Sequence, residues 1–177
     1  MKEILKKCVR LWINYSKGYF NESDRANIII GCAVLDEWLK VCILEFHSDK
    51  KKVIKKFIES PGAISSFGSR IDYFYLIGHI PEDIHWALHK VRELRNVMAH
   101  KSIELNFESG SIRDKIKVIE DILQSDKEAE NAKQKFHGII TKLFFSMSYN
   151  FLETIGIPKD RVIAEWQSVH DEINKSS

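Results

Sequence analysis

Apolar residues recur every three or four positions along almost the whole chain, with turn signals between the runs. This spacing places them on one face of an α-helix, because about 3.6 residues make one turn. Residues 103–107 alternate between apolar and polar, but no second strand is predicted to pair with them, so we expect an extended linker there. The runs predict helices over about residues 3–20, 21–46, 49–57, 67–78, 81–100, 112–123, 125–155 and 162–173. The sequence therefore predicts an all-α, single-domain helical bundle of about seven to eight helices.

The second and seventh predicted helices carry clear capping signals. Asn21 or Ser23 is expected to cap the second helix, which is apolar around most of its circumference. A helix of that kind is normally covered on several sides, so we expect it at the centre of the bundle. Ser125 and Glu128 predict a capping box for a long helix that breaks at Gly156.

Composition fits one globular domain covering residues 1–177. The chain is 44% hydrophobic and 29% charged. Its net charge of +2 is too small to attract the whole protein strongly to nucleic acid or to a membrane surface. No apolar run approaches the roughly 20 residues that span a bilayer, and charged residues interrupt the N-terminal segment, so neither a membrane span nor a signal peptide is expected. The three cysteines have no paired-ligand spacing and are predicted to be buried, reduced thiols. These features predict a cytoplasmic protein.

The segment from Pro81 to His100 carries the strongest candidate chemistry. On an ideal helix, Arg95 falls within the apolar arc that faces the core. An arginine among apolar neighbours needs a partner anion, which is either a protein carboxylate or the phosphate of a ligand. The candidate carboxylates within the protein are Asp24, Asp36 and Asp72.

His100 lies on a separate polar stripe of the same helix, formed by His85, His89, Arg92, Asn96 and His100. Successive residues turn by about 100°, so Arg95 and His100 lie about 140° apart. A ligand that reaches both side chains therefore needs a helix break between residues 97 and 99, or a second subunit. His85 and His89 have the i, i+4 spacing of metal ligands, but no third ligand has suitable spacing, so no metal site is predicted.

Several segments, taken together and in order, resemble the mannitol operon repressor (MltR-like) family, within the broader HEPN group of helical domains. The resemblance covers about residues 20–125, and residues 126–173 are expected to form C-terminal helices packed on that part. The segments are Ser23-Asp24-Arg25, Leu35-Asp36-Glu37, the run from Pro61 to Ile71, the run from Leu76 to Ile80, the run from Arg92 to His100, and Phe107 with Ile112-Arg113-Asp114.

The resemblance implies an all-helical bundle, commonly a homodimer, in a family with a regulatory name rather than an established activity. Many HEPN domains are metal-independent endoribonucleases, and their catalytic arginine and histidine correspond by motif to Arg95 and His100. Their dimers bring two such pairs into one cleft. The toxin branch often has a tyrosine where this chain has Ser102, so control by tyrosine modification is not expected. Five charged residues are expected to be buried and structural: Asp24, Arg25, Asp36, Arg70 and Asp72.

Two functions follow from these expectations. The first is a non-enzymatic regulator that acts on transcription through a protein partner, because the near-neutral charge and the lack of an evident helix-turn-helix argue against direct recognition of DNA. The alternative is a metal-independent endoribonuclease that binds RNA. In that case His100 moves the 2′-hydroxyl proton, Arg95 stabilises the phosphorane and Asn96 orients the phosphate or the imidazole. Neither function requires a cofactor.

Overall fold

The computed structural model describes residues 2–19, 21–100, 105–124 and 131–175. Over these ranges the chain forms eight α-helices, a short 3-10 turn at Ser48–Lys50 and no β-strand, which confirms the predicted all-α bundle. The helices are α1 (Lys2–Tyr19), α2 (Asp24–Phe46), α3 (Lys51–Ile58), α4 (Phe67–Leu76), α5 (Glu82–His100), α6 (Gly110–Leu123), α7 (Ala132–Thr154) and α8 (Lys159–Lys175).

Helix α2 is the centre of the bundle, as its apolar circumference predicts. It packs against α1, α3, α4, α5 and α7, and Leu35, Trp38 and Leu39 are completely buried. Gly31 lets α7 approach closely, because a Cβ at this position would lie 3.1 Å from Ile140 Cγ1. The central helix therefore fixes the positions of the helices that pack around it.

Side-chain caps set the starts of three helices. Ser23 caps α2 by accepting a hydrogen bond from the backbone N–H of Ala26, as predicted. Ser66 begins α4 in a capping box with Ser69. Helix α7 begins later than predicted, with Asn131 as its N-cap. The capping box predicted at residues 125–128 lies outside the described residues.

The segment before α6 is held by a side chain of α2. Leu105 and Asn106 form neither helix nor strand, consistent with the predicted linker, of which residues 103 and 104 lie outside the described part. Phe107 is buried, and its backbone N–H donates to Asp24 Oδ2 at 3.0 Å. This bond connects the start of α2 to the chain that follows α5.

All three cysteines are free and buried, as predicted. Cys8 contacts Ser148 of α7, and the Cys32 Sγ–H donates to the backbone carbonyl of Val91 in α5. Cys42 is also completely buried. Among the described helices, none is long and apolar enough to cross a lipid bilayer.

Candidate functional site

A groove of about 330 Å³ opens between α2, the first turn of α4 and the second half of α5. Asp36 lines it from α2 and Gly68 lines it from α4, whereas α5 contributes three polar side chains, Arg92, Arg95 and Asn96. We call this feature, defined by these five residues, the arginine groove. Two guanidinium groups in one concave surface make it a candidate site for an anion.

Arg95 is exposed in the arginine groove, so the prediction that it faces the core is wrong. Its Nη1 donates to Oδ1 of the adjacent Asn96 at 3.2 Å. No carboxylate of the described residues lies within ion-pair distance of the guanidinium. The reason for the exposure is that α4 begins at Phe67, beside Arg92, and therefore does not extend over the next turn of α5.

The carboxylate in the groove that could pair with Arg95 is that of Asp36, but it is already bonded to another arginine. Asp36 lines the groove, but its Oδ1 accepts a hydrogen bond from Arg70 Nη1 at 2.5 Å. Arg70 also donates through Nη2 to the backbone carbonyl of Ser65 at 2.7 Å. The Arg70 side chain is 9% exposed and that of Asp36 is 32% exposed, so of these two residues predicted to be buried, Arg70 is buried and Asp36 only partly.

Arg92 lies deeper in the groove than Arg95. Its Nε is buried and has no hydrogen-bond partner among the described residues. Gly68 makes this position accessible, because a Cβ there would lie 3.4 Å from Arg92 Nε. The start of α4 also directs the positive end of its helix dipole toward this region. The groove is therefore electropositive on the sides formed by α4 and α5.

Helix α5 continues without a break through Arg95 to His100. His100 is exposed and is not one of the residues that line the groove. Arg25 of α2 donates from Nη2 to the carbonyl of Ala99 at 3.0 Å, which ties this end of α5 to the bundle. Because the helix is regular, the Arg95 and His100 side chains of one chain remain about 140° apart, while Asn96 lies about 40° from His100.

Two of the charged residues predicted to be buried are instead exposed. Arg25 is at the surface because its partner is a carbonyl at the end of α5. The Asp72 side chain is 62% exposed because its partners, His85 and His89, lie on the polar stripe of α5. Asp24 is half-buried and accepts a hydrogen bond from the linker before α6.

Asp72, His85 and His89 form a second polar cluster, which the sequence did not predict. Asp72 Oδ1 lies 3.0 Å from His85 Nε2 and 2.8 Å from His89 Nε2. Partial burial acts to raise the pKa of Asp72, but the hydrogen bonds to His85 and His89 outweigh it, and the pKa is lowered. Asp72 belongs to α4, so its spacing along the chain gave no signal of this contact.

A larger hollow of about 820 Å³ lies between α6 and the start of α7. It contains none of the residues of the arginine groove. Acidic and basic side chains alternate along it, including Glu108, Arg113, Asp114 and Lys117. Because neither sign of charge dominates, this hollow has no evident preference for a charged ligand.

Comparison with known proteins gives one result. No curated protein and no solved structure is significantly similar to the chain. A family described as a domain of unknown function (DUF4145) matches residues 43–139. The match extends from the last turn of α2 into α7, and it includes all of α4 and α5 with the second polar cluster. Because it covers more than half of the 177 residues, this chain belongs to the DUF4145 family.

Proposed function

We propose that this protein binds RNA through the arginine groove and cleaves it without a metal ion, as an endoribonuclease of the HEPN type. The observation that carries the proposal is the state of Arg95, which is exposed in a concave surface and has no acidic partner among the described residues. A guanidinium in this state is available to form two parallel hydrogen bonds to a phosphate. Arg92 supplies a second positive charge in the same groove.

The chemistry requires a base and a cation. His100 accepts the proton of a ribose 2′-hydroxyl, and the 2′-oxygen then attacks the adjacent phosphorus. The bond from phosphorus to the 5′-oxygen breaks, and that oxygen takes up a proton from an imidazolium or from water. Arg95 stabilises the negative charge of the phosphorane. Asn96, which lies between Arg95 and His100 around the helix axis, orients the phosphate. The products are a 2′,3′-cyclic phosphate and a 5′-hydroxyl.

A second copy of the chain completes this site. The regular geometry of α5 keeps Arg95 and His100 of one chain on different sides of the helix, so one chain alone does not direct both at one phosphate. The surface of α2 next to the groove is apolar, with Ile29 in the groove wall and Ile30 38% exposed. A homodimer that covers this surface brings two Arg95 and two His100 side chains together, as in the HEPN dimers that the motif resembles.

Cleavage of a labelled single-stranded RNA in buffer containing EDTA tests the proposal. The unmodified protein is expected to produce fragments that end in a cyclic phosphate. His100→Ala is expected to bind the RNA but to cleave it at least about 100-fold more slowly. Lys90→Ala removes a partly exposed cation from the same helix and is the matched control. Absence of cleavage by the unmodified protein, or equal cleavage by His100→Ala, would contradict the proposal.

A regulatory role through a protein partner is the second candidate function. It is favoured by three exposed apolar side chains at the α4–α5 corner: Tyr75 (42% exposed), Leu76 (82%) and Trp86 (52%). Exposed apolar groups of this size are typical of protein-binding surfaces. In this role the protein affects transcription, as the MltR-like family name suggests, through a protein partner and without contacting DNA. Tight and salt-sensitive binding to one promoter fragment in a gel-shift assay would argue against it.

A further inference from the structure

We propose that Asp72, His85 and His89 form a binding site for a divalent transition-metal ion such as Zn²⁺. The ligand atoms are the two histidine Nε2 atoms and a carboxylate oxygen, and all lie within 4.8 Å of one another. This inference goes beyond the proposed ribonuclease, whose chemistry needs no metal. It also stands on different residues, since none of the three lines the arginine groove.

The helix geometry brings the three ligands together. His85 and His89 are four residues apart on α5, so their side chains project from the same face. Asp72 projects from α4, which packs against that face. The nitrogen-to-oxygen distances of 2.8 and 3.0 Å are close to the ~3.3 Å that separates ligand atoms around a tetrahedral ion with bonds of about 2.0–2.1 Å. A small movement of the exposed carboxylate therefore admits an ion.

The two imidazoles are held in place before any ion binds. Their side chains are 13% and 16% exposed, in contrast to the exposed Asp72 carboxylate. The ring of Tyr75 stacks on His85 with centroids 4.4 Å apart, and the His85 and His89 rings are 4.7 Å apart. Side chains restrained in this way lose little conformational freedom when they bind an ion.

The donor set indicates which ions fit. Two imidazole nitrogens and one carboxylate oxygen suit Zn²⁺, Co²⁺, Ni²⁺ or Fe²⁺, whereas Ca²⁺ and Mg²⁺ require more oxygen ligands. Three protein ligands leave at least one coordination position for water or another small ligand. The ion links α4 to α5, which are two of the three helices that form the arginine groove.

Calorimetric titration of the EDTA-stripped and desalted protein with Zn²⁺ tests the site. We expect about one ion per chain, with affinity reduced at least about tenfold in each of Asp72→Asn, His85→Gln and His89→Gln. Asp83→Asn and His100→Gln change an acid and a histidine elsewhere on α5 and are the matched controls. No binding by the unmodified protein, equal affinity in the three ligand variants, or a loss confined to His100→Gln would overturn the proposal.

A second measurement does not depend on whether the variants fold. Substoichiometric Ni²⁺ added to the ¹⁵N-labelled unmodified protein should broaden the amide signals around residues 72, 85 and 89 before any others. Trp86, whose ring centroid is 5.6 Å from that of His85, should broaden with them. Broadening that begins around His47 or His100 instead would place the ion elsewhere and contradict the assignment. Because neither measurement uses RNA, failure of the metal site and failure of the ribonuclease proposal are distinguishable.

Discussion

Arg70 holds the carboxylate of Asp36, with Nη1 2.5 Å from Oδ1, and this pair determines the electrostatic state of the arginine groove. Asp36 is the acidic residue that lines the groove together with Arg95. Since its charge is already compensated by Arg70, Arg95 remains available to an external anion. The arginine that pairs with Asp36 and the arginine that is available to an anion are therefore different residues, on the neighbouring helices α4 and α5.

Loss of Arg70 should destabilise the protein measurably. Arg70→Met leaves the partly buried Asp36 carboxylate and the Ser65 carbonyl without their donor. Removing one partner of a buried pair costs about 3–5 kcal/mol, and the 32% exposure of Asp36 places this case at about 3 kcal/mol or less. Urea denaturation measures the change in the free energy of unfolding.

Lys90→Met is the matched control for this variant. Lys90 pairs with Glu93 near the surface, where the side chains are 39% and 45% exposed, and the expected loss is below about 0.5 kcal/mol. Equal losses in the two variants would show that the Arg70–Asp36 pair has no special structural role.

The contact between α2 and α7 depends on a small residue at position 31. Gly31→Val should destabilise the protein by about 1–3 kcal/mol, because even a Cβ there lies 3.1 Å from Ile140 and 3.2 Å from Phe136. Gly138→Val is the control, since nothing lies within 4 Å of its added Cβ and valine is a slightly better helix former than glycine. Thermal unfolding followed by circular dichroism compares the two. A stabilised Gly31→Val would show that α2 and α7 are packed less tightly.

His79 should make stability depend on pH. It is buried beside Phe46, Phe74 and Phe151, and burial, together with the charge of His47, lowers its pKa. The unfolded chain binds a proton near pH 6.5, whereas the folded chain does not, so the unfolded state binds more protons below that pH. The free energy of unfolding should therefore fall as the pH drops below about 6.5.

His79→Phe isolates this contribution. Phenylalanine fits the aromatic surroundings and cannot be protonated, so the decrease in stability between pH 7 and pH 5.5 should be smaller than in the unmodified protein. Urea denaturation at several pH values gives both slopes, and the other titrating groups are common to the two proteins. Identical slopes would show that His79 does not contribute to acid sensitivity.

The three thiols should be unreactive in the folded protein. Burial raises the pKa of Cys8, Cys32 and Cys42, and the thiolate is the reactive form. A colorimetric thiol reagent at pH 8 should label none of them within minutes in native buffer, and all three in 8 M urea, a concentration chosen to unfold the chain fully. Rapid labelling of one thiol in native buffer would indicate that its helix opens locally.

Periodicity was sufficient to predict the helices, because each one buries a regular apolar stripe, and α2 shows this most clearly. It was insufficient for Arg95, whose exposure depends on where a different helix, α4, begins. Periodicity also could not predict the contact of Asp72 with His85 and His89, because a contact between two helices produces no regular spacing within either sequence segment. What the sequence lacked in each case was the relative placement of α4 and α5.

Binding of fluorescein-labelled single-stranded RNA, measured by anisotropy at several salt concentrations, tests most directly whether the arginine groove is a phosphate site. Arg95→Ala should weaken binding about tenfold and reduce the salt slope by about one, whereas Arg113→Ala, which removes an exposed arginine of α6, should change binding less than about twofold. Equal effects of the two variants would contradict the account. So would unchanged binding by Arg95→Ala together with loss of binding when Lys55 and Lys56 are replaced by alanine.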